Sequence, residues 1–78
     1  MKFKNKTTKW FPYQELGSYY RLNDGYLEFY PMNKDGSKNN DETGGGEVDF
    51  ELLEGELLES GKILTERLEE IGNELLLK

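Results

Sequence analysis

Sixteen carboxylates, with no histidine and no cysteine, set the chemistry open to this 78-residue chain. Without imidazole there is no side chain that titrates near neutral pH as a ready general base. Without thiols there is no soft nucleophile, no disulfide and no usual zinc ligand set. Ser18, Ser37 and Ser60 all lack the glycine framing of a nucleophile elbow. Catalysis by carboxylates alone needs two acids converging in a cleft with separated pKa values. In so acidic a chain close pairs arise without that purpose, so neither enzyme activity nor a bound cofactor is expected. Asp35, Ser37, Asn39 and Asp41 alternate as in a calcium loop. Asn40 stands where that loop needs glycine, and Gly46 where it needs a bidentate glutamate. The stretch reads as a polar linker, with no metal.

Binding chemistry is better represented. Glu66, Glu70 and Glu74 recur at i, i+4 and i+8, with Glu69 beside them and only Lys62 and Arg67 as relief. Like charges at that spacing destabilise an isolated helix by about 0.2–0.5 kcal/mol per pair. The bland explanation is a solvated face that keeps a small protein soluble. The functional one is a surface for a cationic partner: a basic protein, or the lysine-rich N-terminus of a second copy in a homodimer. Aromatics form the other cluster, with eight of ten between Trp10 and Tyr30. A small sheet hides one face, so Tyr19, Tyr26 and Tyr30 on the other are expected at an interface, where tyrosine is favoured. An alternative use of that face is stacking single-stranded nucleic acid, with the N-terminal lysines and Arg21 tracking phosphates. A net charge of −6 and a pI near 4.6 count against it.

The elements that would position these residues follow from local pattern. Asp24-Gly25 is a two-residue hairpin signal, because a type I′ turn needs positive φ at both central positions. That turn sets Leu22 opposite Leu27 and Tyr20 opposite Phe29. On the reverse face lie Arg21 opposite Glu28, Tyr19 opposite Tyr30 and Asn23 opposite Tyr26. A three-residue loop would mix apolar and charged partners, so the two-residue register is favoured. Residues 7–16 are rich in β-formers, but Pro12 confines them to an edge strand or a strand broken by a bulge. Lys2, Lys4 and Lys6 alternate with Phe3 and Asn5, as in an edge strand guarded by lysines. Residues 33–46 lack any apolar side chain and predict a mobile loop.

Beyond the loop, Val48, Phe50 and Leu52 alternate with acids and suit a short strand or a first helical turn. Leu57, Gly61, Leu64, Leu68, Ile71 and Leu75 then keep a 4-3 spacing, widened by Leu58, Leu76 and Leu77 into the stripe of a helix lying on a sheet. Gly55, Gly61 and Gly72 each cost about 1 kcal/mol against alanine in a helix interior, which predicts a kink or break. Ser60 is available as an N-cap for a final helix.

Charge divides along the same line. Residues 1–40 carry seven Lys/Arg against four Asp/Glu, a balance of +3, and residues 41–78 carry three against twelve, a balance of −9. No stretch has the length and apolarity of a membrane span, and no apolar segment follows the N-terminal lysines as in a secretory signal, so a cytoplasmic protein is expected. Absence of alanine beside eight lysines and six asparagines suggests a low-GC genome, such as a phage or marine microbe. The expected fold is a single α+β domain. Its three-stranded antiparallel meander (7–32) packs through a 33–46 loop against an acidic helical segment (47–78). The expected role is that of a non-enzymatic interaction protein.

Overall fold

Asp24 and Gly25 turn the chain with φ of 52° and 91°, the two positive values the type I′ geometry demands. The computed structural model describes residues 3–52 and 55–78. Strands β2 (Ser18–Asn23) and β3 (Tyr26–Pro31) leave that turn in the expected register, with Leu22 facing Leu27, Tyr20 facing Phe29 and Arg21 facing Glu28. Leu22 and Leu27 are fully buried and Tyr20 nearly so. Strand β1 (Phe11–Tyr13) joins the other side of β2 with Pro12 opposite Tyr19. It is the sheet edge, where a missing N–H removes no ladder hydrogen bond.

That first strand is shorter than residues 7–16 suggest. Gln14–Leu16 winds into a 3-10 turn closed by Gly17 at φ 67°. Upstream, Thr8 N donates to Leu22 O at 2.8 Å, while Leu22 N donates to the Thr8 hydroxyl at 2.9 Å. A side chain therefore stands in for a backbone acceptor, and the edge is interrupted there. The lysine-flanked N-terminus is not a strand either. Asn5 has φ 62°, Lys6 N donates to Phe3 O at 3.1 Å, and the turn delivers Phe3 into the core. Lys2 lies outside the described residues.

Among the described residues the sheet has four strands, not three, in the order β1-β2-β3-β4. Strand β4 (Gly46–Glu47) pairs antiparallel with β3, setting Gly46 opposite Phe29 and Glu47 opposite Glu28. Its two residues carry no apolar alternation; the alternation of Val48, Phe50 and Leu52, expected as a short strand or a first helical turn, starts just after it, and those residues form neither. The connector read as a mobile loop contains hydrogen-bonded turns. Ser37 N and Ser37 Oγ both reach the Asp35 carboxylate, and Asp41 does the same for Thr43. Met32 and Lys38 form an isolated bridge.

Helix α1 spans only Leu64–Leu76. Among the described residues of 47–63 there is no α-helix, which corrects the longer acidic helical segment. Instead Leu57 bridges Ile63, Leu58 N donates to Lys62 O at 2.8 Å, and Gly61 turns at φ 89°. A helix there would include Gly55 and Gly61 and would leave Leu57, 70% exposed here, with little to bury. Ser60 belongs to this turn and does not cap α1, whose N-cap position is Ile63 without a side-chain hydrogen bond.

Leu68, Ile71, Gly72 and Leu75 are the buried face of α1, packed with Phe3, Tyr13, Tyr20, Leu22 and Leu27 in one cluster. Gly72 earns its place through contact: a Cβ there would sit 2.2 Å from the Phe3 ring. Of the residues expected to widen the apolar stripe, Leu77 points to solvent and Leu76 is 42% exposed. No helix among the described residues is long and apolar enough to cross a membrane.

Candidate functional site

Two surfaces carry the residues singled out for binding: the outer side of α1 and the outer face of the sheet. On α1, 3.6-residue periodicity puts Glu66, Glu70 and Glu74 on the side away from Leu68, Ile71 and Leu75. Arg67 lies between them and organises the surface. Its Nε donates to Glu15 at 2.9 Å and its Nη2 pairs with the same carboxylate, while Nη1 pairs with Glu74 and stands 3.5 Å from Glu70. Glu70 also accepts from Lys62 Nζ at 2.6 Å. The Arg67 side chain is 16% exposed, well covered for a charged group. Hydrogen bonding to Glu15 raises its pKa against the opposing cost of burial, with Glu74 adding to the effect. The Lys62 hydrogen bond likewise lowers the Glu70 pKa.

The predicted ridge is thus partly neutralised from within, and Glu15 reaches it from the 3-10 turn of the opposite half. Sequence spacing put Lys62 and Arg67 beside the ridge but did not show Glu15, which is distant in the chain. Glu66 is exposed and Glu69 is half-buried. Beneath Arg67 lies Tyr13, whose buried hydroxyl has no hydrogen-bond partner among the described residues. Burial first, then the Glu74 charge, raises its pKa.

The sheet's outer face is less open than a bare tyrosine platform. Trp10 and Tyr30 pack with ring centroids 5.3 Å apart. Arg21 lies 4.7 Å from the Trp10 centroid, and Lys38 lies 4.7 Å from Trp10 and 4.5 Å from Tyr30. Arg21 is held by Glu28 at 2.7 Å, and Asn23 Nδ2 donates to the other oxygen of that carboxylate at 3.3 Å. Tyr19 donates its hydroxyl to Gly36 O at 2.6 Å. The chain passes so close over Tyr30 at Gly45 that a Cβ would lie 2.4 Å from the ring and 2.7 Å from Phe29 O. Residues 36, 38 and 45 therefore cover this face. A base stacking on Trp10 would compete with the protein's own cations.

Of the three tyrosines, only Tyr26 counts as exposed, at 44%. It borders a groove of about 510 Å³ at the turn end of β3, with Val48, Phe50, Glu47, Asp49 and Glu51. The structure separates Tyr26 from Tyr19 and Tyr30 and sets it beside acidic residues of the second half. Sequence reasoning gave Val48 and Phe50 a structural role and did not foresee the groove, because β4 is what brings residues 47–51 against β3. No group of three or more Asp or Glu side chains among the described residues is arranged to hold a metal ion. Comparison with known proteins finds no matching family, no matching curated protein and no matching solved structure.

Proposed function

We propose that this protein is a non-enzymatic interaction module whose acidic second half meets a partner that is both basic and apolar. The observation that carries the reading is where the exposed large apolar side chains fall. Among the described residues, five of the six are Leu52, Leu57, Ile63, Leu76 and Leu77, all within the half that has a balance of −9. Charge keeps such a surface soluble while the leucines give a partner apolar area to cover. Purely solvating acids would need no leucines among them.

A second copy of the chain offers part of this chemistry. Its Lys4, Lys6 and Lys9 are exposed and belong to the half with a positive balance. Isothermal titration with a helical peptide alternating lysine and leucine tests the reading. Binding should be micromolar at 50 mM salt, weaken at least tenfold by 500 mM, and exceed that of oligolysine of equal charge. Absence of binding at low salt, or equal binding of oligolysine, would overturn it. Sedimentation across the micromolar range reports whether a second copy is a partner.

A further inference from the structure

The two carboxylate-lined surfaces of this protein differ in one respect that bears on what each can bind. On α1 the acids already have cations: Glu15, Glu70 and Glu74 share Arg67, and Glu70 also holds Lys62. Among the described residues, those lining the groove beside Tyr26 include Glu47, Asp49 and Glu51 and no lysine or arginine. Its apolar part is supplied by Tyr26, Val48 and Phe50. Tyr26 is exposed, whereas Val48 and Phe50 are half-buried and pack on the core, so that side is firm. Asp49 is fixed as well, its carboxylate accepting from Glu51 N at 3.0 Å.

We infer that this groove is the docking site for a lysine- or arginine-bearing segment of a partner protein. The inference rests on the reading of the protein as a module for basic, apolar partners and names where the cationic side chain goes. A long basic side chain suits the groove along its whole length. Its aliphatic stem lies against Val48 and the exposed Tyr26 ring, and its charged head reaches the rim carboxylates. Contact with the Tyr26 face adds attraction for the cation. A purely apolar ligand would leave the three acids desolvated without compensation, and an anion would be repelled. Charge complementarity therefore selects the occupant. The apolar wall alone does not.

The test is a titration of the full ¹⁵N-labelled chain with an acetylated, amidated pentapeptide alternating arginine and leucine. Amide shifts concentrated at residues 26 and 47–51 support the inference. Glu47→Gln with Glu51→Gln should then weaken binding about tenfold, a step of roughly 1.4 kcal/mol, and Tyr26→Ala about threefold. Both acids are exposed and Tyr26 is partly so, and unchanged amide shifts along β2 verify that each variant is folded. Shifts confined to α1 would overturn the groove while leaving the interaction module standing. No shifts anywhere at 50 mM salt would overturn both. Concentration-dependent shifts at 26 and 47–51 without peptide would identify a second copy as the occupant and overturn the assignment to a different protein.

Discussion

The hairpin at 18–31 and the stretch at 47–63 are both rich in large apolar side chains, yet one builds the core, while of the described residues in the other Val48 and Phe50 pack on its margin and Leu52, Leu57 and Ile63 face solvent. In the hairpin each apolar residue has a partner fixed by a two-residue turn, and alternation sends Tyr20, Leu22, Leu27 and Phe29 to one face. In 47–63 the apolar residues sit between acids and glycines with no period sustained long enough to define a face. There Leu52 and Leu57 are 79% and 70% exposed. Apolar content is thus a poor guide to burial. What decides is whether local geometry supplies each side chain with a neighbour before tertiary packing begins.

The sharpest way to break that contrast is to truncate one leucine from each region. Leu27→Ala, at a fully buried position, should cost about 2–5 kcal/mol, enough to unfold much of so small a domain. Leu57→Ala should stay within about 0.5 kcal/mol. Urea denaturation followed by Trp10 fluorescence measures both, and equal losses would erase the distinction. A smaller effect is expected at Gly72, where the hairpin-bound core meets the N-terminus. Gly72→Val gains some helix propensity but drives a branched side chain into the Phe3 ring, for a net loss of about 1–3 kcal/mol.

The mildest perturbation is alkali. Burial raises the Tyr20 pKa from 10.0 to about 12. The neutral phenol is the form the fold favours, so its contribution is intact below pH 10 and is lost as pH rises through 12. Stability should fall across that window, in step with tyrosinate absorbance, and Tyr20→Phe should flatten the slope. No change in slope would mean that the hairpin face is wetter than its packing implies.

These contrasts also explain how far the fold could be read from residues alone. The turn, the register and the edge position forced by Pro12 depend on neighbours in sequence, and all three were legible. So was the buried face of α1 from Leu68 to Leu75. Strand β4 was not, because Gly46 and Glu47 acquire strand geometry only by lying against β3. Phe3 was assigned to a lysine-guarded edge for the same reason. Its place depends on Gly72, near the other end of the chain. Among the binding residues, the Glu66, Glu70 and Glu74 spacing was visible, but the Glu15–Arg67 bond that partly neutralises it was not. Lys38 likewise gave no local sign that it would cover Trp10 and Tyr30.

The contact between Phe3 and Gly72 has a consequence for biosynthesis. Phe3 cannot complete its packing until the helix that carries Gly72 has been made. Throughout translation the leucines of the ribbon wait uncovered, a state prone to sticking to other nascent chains. Slow or interrupted synthesis should therefore harm the yield of this protein more than that of one whose core contacts are all local in sequence.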